Sequence, residues 1–173
     1  MASDMNLKPP KIILALIGGE VLAFSAMGIF GLKHNPSPSI PTGWYIRTEE
    51  SGAQFVEFCP PEPFASLARE RTYGDFGFSC RFFRSPFIKR ILGRFGDVVT
   101  LRPTGILLND QPVPNSKPLQ FDSRGRWMIH YREGRYLIRP DELWVIGDDP
   151  RSFDSRYYGP VPKYLVRDYM RAF

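Results

Sequence analysis

Apolar positions follow two regimes along the chain. Residues 12–32 read IILALIGGEVLAFSAMGIFGL, 21 positions that carry a single charge, Glu20. As a helix rising about 1.5 Å per residue, this run spans about 31 Å, close to the thickness of a bilayer core. Lys8 and Lys11 precede it and the bulk of the chain follows. The positive-inside rule therefore predicts residues 1–11 in the cytoplasm, a membrane span over 12–32 and an exported, periplasmic domain over 35–173. Lys33, on the far side, works slightly against that orientation. A basic start before an apolar stretch also fits a cleavable signal segment, with AFSA at 23–26 as the small-residue site. The apolar run continues past that site, which favours an anchor. Glu20 is costly against lipid, so it is protonated, faces a partner helix, or belongs to a segment that does not stay in the bilayer.

Beyond the run, apolar residues come in short groups bounded by Gly and Pro. GWYIR (43–47) and AQFVEF (53–58) read as strands, being aromatic or β-branched. PFASLARERT (63–72) has helical spacing with Pro at its start. GDVVTLRP (96–103) and GILLNDQPV (105–113) read as a pair of strands, and RYLIRP (135–140) and ELWVIGDD (142–149) as two more. NSKPLQFDSRGR (115–126) has no period and reads as a surface loop. The pattern predicts a mainly β domain, a β-barrel or folded sheet with a short helix, behind an N-terminal membrane helix.

Composition refines this picture. The 173 residues include 17 Pro, 15 Gly and 14% aromatics, which suits one turn-rich domain with a real core. The net charge of +5 attracts anionic surfaces without choosing between lipid and nucleic acid. Basic and aromatic residues interleave over 81–95, RFFRSPFIKRILGRF, but no nucleic-acid module accompanies them, so no nucleic-acid partner is expected. Those phenylalanines either pack in the core or meet lipid. Cys59 and Cys80 are the only cysteines. On the oxidising side of a membrane they can form a disulfide worth about 3 kcal/mol, the alternative being two buried thiols. Two Cys with the scattered His34 and His130 offer no metal site, and no cofactor is expected.

Three stretches carry chemistry: SIPTG with Ser39, KRILGRFGD with Lys89 and Asp97, and GDDPRSFDSRYYGPV over 147–161. No histidine is spaced for a Ser-His-Asp triad. A lysine can act as the base of a serine enzyme if it loses its proton, although only about one in a few thousand is neutral at pH 7 in water. An apolar setting lowers that pKa, and SPFI before Lys89 with IL after Arg90 offers one.

The order of these stretches resembles the signal peptidase I superfamily of Ser/Lys proteases. SIPTGWY, CPPEP with a second Cys before KR, and SFDSRYYGPVP look most like its TraF-type conjugative transfer peptidases. Only Ile40 separates Ser39 from proline, and GDDPRSFDSR is one residue shorter than the general box; both departures favour the TraF-type subgroup. The resemblance implies a signal-peptidase-like fold, Ser39 as nucleophile, Lys89 as general base and Ser37 as an oxyanion donor. It also implies Asp154 as part of the catalytic apparatus, with Arg156, Ser152 and Asp148 supporting the site. Since a carboxylate beside Lys89 raises its pKa unless Arg156 balances it, Asp154 is expected to orient rather than to take protons. The implied substrate is an exported precursor, a pilin-like conjugation subunit, met at the membrane lipid and alongside the conjugation machinery. An acyl-enzyme opened by water yields a trimmed chain, and one opened by the substrate's own amine yields a cyclic one. Two rivals remain: a general signal peptidase with many substrates, and a non-catalytic, membrane-anchored assembly factor.

Overall fold

The computed structural model describes residues 31–74, 76–80 and 85–173. The apolar run before Gly31, with Glu20, and residues 81–84 of the basic and aromatic strip lie outside the described residues. No helix among the described residues is long and apolar enough to cross a membrane.

Twelve short strands are described: β1 (Leu32–Asn35), β2 (Gly43–Arg47), β3 (Phe55–Phe58), β4 (Phe76–Cys80), β5 (Phe87–Gly93), β6 (Val98–Arg102), β7 (Gly105–Leu108), β8 (Gln111–Pro112), β9 (Gly134–Leu137), β10 (Glu142–Ile146), β11 (Val161–Pro162) and β12 (Val166–Ala172). Two helices join them, Phe64–Arg71 and Ser155–Tyr158. A seven-stranded sheet has the order β1-β2-β12-β3-β5-β10-β11, and a four-stranded sheet the order β8-β7-β6-β9. The domain is mainly β, but neither sheet closes, so the barrel expectation is corrected to two open sheets. At one end of the larger sheet β11 has only two residues and stops at Pro162, which has no N–H to carry a ladder further.

The sheets enclose three clusters of buried side chains, and β10 explains how two of them join. Its residues alternate, Leu143 and Val145 packing with Val56, Phe58 and Tyr158, while Trp144 and Ile146 pack with Val99, Leu101 and Ile138. A strand covered on both faces must be apolar throughout, hence the unbroken LWVI. The third cluster, Ile40, Tyr45, Phe55 and Met170, lies under the loop that carries Ser39.

Other local choices follow from the sequence less directly. The expected single strand over 105–113 is a hairpin, because Asn109 and Asp110 adopt φ of 50° and 65° and turn β7 into β8. The expected surface loop over 115–126 is pinned at one end, where Phe121 bridges Trp127. Strands β1, β4, β5, β11 and β12 had no counterpart in the sequence pattern. Leu32, the last residue of the apolar run, already pairs with Ile46 of β2. Phe87 packs in the core as part of β5, whereas Phe95 is 65% exposed. Cys59 and Cys80 form a disulfide that ties off the excursion holding helix Phe64–Arg71, which excludes the reading of two thiols.

Candidate active site

The loop after β1 is short of hydrogen-bond donors, since Pro36, Pro38 and Pro41 have no N–H. Ile40, between Ser39 and Pro41, is 1% exposed and plugs the loop into the third core cluster. The Tyr45 hydroxyl donates to the Pro41 carbonyl at 2.5 Å. With Ile40 turned inward, Ser37 and Ser39 remain on the open side, their hydroxyl oxygens 3.2 Å apart. The Ser39 N–H donates to Ser37 Oγ at 3.3 Å.

Lys89 reaches the same place from β5. It lies opposite Val56 of β3, so its side chain shares a sheet face with Phe87 and Ile91. It is 6% exposed, with Nζ 5.6 Å from the Phe87 ring centre. Burial pushes its pKa down to about 8; Asp154 and Asp149 act upward, and Arg156 downward. The adjacent Arg90 points to the other face, stacks over Phe55 and donates to both oxygens of Asp148 at 2.9 and 2.8 Å. Asp148 thus links Arg90 of β5 to the Ser39 loop, because its own N–H donates to the Ser39 carbonyl at 2.7 Å.

The end of β10 approaches Ser39 closely because residue 147 is glycine. A Cβ there would lie 2.1 Å from Ser152 Oγ and 2.7 Å from the Ser39 carbonyl oxygen. Behind this contact, Asp154 and Arg156 are both fully buried. Asp154 Oδ1 accepts from Arg156 Nε at 2.8 Å, and Oδ2 accepts from Arg156 NH2 at 2.8 Å and from the Gly147 N–H at 2.9 Å. The remaining guanidinium donors reach the carbonyls of Asn115, Pro150 and Ser152 at 3.2, 3.0 and 3.0 Å. Ser152 Oγ is itself buried and has no hydrogen-bond partner among the described residues.

These elements border a cleft of about 720 Å³. Ser37, Ser39, Lys89 and Ser152 line it, while Asp154 and Arg156 sit behind its wall and Asp148 beside it. Phe87, Met128, Phe153 and Tyr157 supply an apolar wall. The disulfide lies away from the serine, but the excursion it closes contributes Tyr73, whose hydroxyl donates to Asp122 across the cleft rim at 2.6 Å. Lys33 also lines the cleft, held by Glu57 and, at 2.7 Å, by Asp168. Sequence reasoning missed Asn35, which is 5% exposed and whose carboxamide bonds to four backbone groups of the serine loop. The Asn-Pro dipeptide, a common turn opener, was its only signal.

The family model described as signal peptidase, peptidase S26, matches residues 11–168. A plasmid transfer protein TraF of Escherichia coli is 33% identical over 161 residues, covering 86% of each chain. A second Escherichia coli protein of that description is 30% identical, covering 92% of this chain and 91% of its own. A conjugal transfer protein TraF of Agrobacterium fabrum is 29% identical, covering 88% and 89%. A solved signal peptidase I from Enterococcus faecalis, 19% identical, covers 70% of this chain and 97% of its own at a TM-score of 0.37, too loose a likeness to carry weight.

Proposed function

Because this chain belongs to the signal peptidase family, peptidase S26, we propose that it is a serine endopeptidase with Ser39 as nucleophile and Lys89 as general base. Residues 12–32 anchor it in the bacterial inner membrane as a single span, and its catalytic domain works in the periplasm. One observation carries the reading: a lysine whose ammonium form is disfavoured by burial lines the same cleft as a serine hydroxyl held at the surface of a rigid loop.

In the reaction, neutral Lys89 takes the proton of Ser39 Oγ as the oxygen attacks the carbonyl carbon of the scissile peptide. The developing oxyanion is met by the Ser39 N–H and the Ser37 hydroxyl, which give up their resting bonds to Ser37 Oγ and Ser39 Oγ to do so. Donors of this kind are worth about 3–4 kcal/mol each in other serine enzymes. The Lys89 ammonium returns its proton to the leaving amine as the C–N bond breaks, leaving an ester on Ser39. A second nucleophile, deprotonated by Lys89, then opens the ester and Ser39 recovers its proton. Asp154 takes no proton in these steps; held by Arg156, it braces Gly147. Ser152, without a hydrogen-bond partner among the described residues, is the hydroxyl available to orient the lysine amine.

The relatives' descriptions as transfer proteins support a role in plasmid conjugation. The substrate proposed is an exported, pilin-like precursor, released as a linear chain when water is the second nucleophile and as a cyclic one when its own N-terminal amine is. The test pairs Ser39→Ala with Lys89→Ala in the full-length, membrane-inserted protein. Each is expected to abolish processing of a conjugative pilin precursor. Processing that survives both would make the protein a non-catalytic assembly factor, and equal processing of unrelated precursors would make it a general signal peptidase.

A further inference from the structure

Three prolines leave the segment from Pro36 to Pro41 with N–H groups at Ser37, Ser39 and Ile40 only, too few to close the loop through its own backbone. The carboxamide of Asn35 supplies what is missing. Its Nδ2 donates to the carbonyls of Ser37 at 2.8 Å, Pro41 at 3.2 Å and Ile40 at 3.4 Å, while its Oδ1 accepts from the Ser37 N–H at 3.2 Å. Two N–H bonds serve three carbonyls, so the longest contact is shared. Asn35 is the last residue of β1 and pairs with Gly43 at the start of β2, so the side chain fills the inside of the hairpin loop whose outer face carries Ser39.

We infer that Asn35 is a positioning residue that holds Ser39 in its reacting conformation; this rests on Ser39 being the nucleophile. Other groups fix neighbouring points of the loop: Asp148 N–H holds the Ser39 carbonyl, and Tyr45 shares the Pro41 carbonyl. Neither reaches the Ser37 carbonyl, and Ser37 is what the Ser39 N–H and hydroxyl lean on. Without the carboxamide, the arc from Pro36 to Pro38 has proline stiffness and the Ser37–Ser39 bonds, but nothing that ties it to the body of the hairpin. A displacement of about 1 Å at a reacting atom can lower turnover about 100-fold. Aspartate has the same size but lacks the N–H donors, and it sets acceptors against three carbonyl oxygens. Ser39 stays where it is only while residue 35 donates.

The test measures acylation of Ser39 by a peptide p-nitrophenyl ester in full-length wild-type, Asn35→Asp, Asn35→Ala and Asn35→Ser proteins, with melting followed in parallel. Asn35→Asp and Asn35→Ala are expected to lose about 100-fold in kcat. KM is expected to stay within about threefold, as befits a group acting on the reacting atom and not on substrate binding. In Asn35→Ala and Asn35→Ser the pH midpoint stays near the wild-type value, because neither adds a charge to the cleft that Lys89 lines. Asn35→Ser, with one donor, falls between and serves if the alanine variant does not fold. A folded Asn35→Asp protein with wild-type kcat, or a loss carried by KM alone, would overturn the role of Asn35 and leave Ser39 as nucleophile. A wild-type protein never acylated on Ser39 would instead sink the nucleophile assignment, and this role with it.

Discussion

The N–H of Gly147 donates to Asp154 Oδ2 at 2.9 Å. That bond ties the end of β10, which grips the Ser39 loop through Asp148, to a carboxylate otherwise occupied by Arg156. The buried ion pair is thus a brace set behind the cleft, one step removed from the reacting atoms.

If so, Asp154→Asn acts first on stability. It leaves the Arg156 guanidinium buried without its counter-charge, a change that typically costs about 3–5 kcal/mol. Chemical denaturation is expected to show a loss of that order, with activity falling as the Gly147 contact loosens. A variant as stable as wild type would remove the brace.

In the proposed mechanism Lys89 acts without its proton, and burial brings its pKa down from 10.5 to about 8. Single-turnover acylation is therefore expected to rise with pH through about 8 and level off above it. A rate already flat from pH 6 upward would assign the base to another group.

The same burial costs stability. The unfolded chain keeps the Lys89 proton up to about 10.5 and the folded one releases it at about 8. Between these values the unfolded state binds more protons, so stability rises with pH across that window. Below it the whole cost of the buried ammonium is present, about 3 kcal/mol at about 1.4 kcal/mol per pH unit. Lys89→Met, which fills the same space without charge, is expected to be inactive yet more stable than wild type at pH 7, with the difference vanishing above pH 10.5. A destabilised methionine variant at pH 7 would contradict the assigned burial.

Much of this was readable in the chain because local pattern and chemistry agreed. GWYIR is a strand, helix Phe64–Arg71 starts after Pro63, and LWVI is buried on both faces. Strand β12 escaped notice because Arg167, Asp168 and Arg171 interrupt its apolar positions, and only pairing with both β2 and β3 makes it central. The turn at Asn109 and Asp110 was missed although this polar pair, of types that tolerate positive φ, interrupts the apolar positions of 105–113. Whether the sheets close depends on how their edges end, at Pro162 for example, which no periodicity reports. In the site, the residues with reactive groups stood out by type and order. Asn35 did not, because a carboxamide that only satisfies backbone carbonyls carries no chemical signature in sequence. Gly147 shows its purpose only once Ser39 and Ser152 are seen to crowd it.

The most direct measurement traps the enzyme in mid-reaction and maps the acyl group by mass spectrometry. An exported precursor or activated peptide ester is mixed with full-length protein, quenched in acid and digested. The account predicts an added acyl mass on the peptide that contains Ser39, absent from Ser39→Ala and not accumulating in Lys89→Met. An acyl group on any other residue, or one that builds up on Ser39 at the wild-type rate without Lys89, would contradict it.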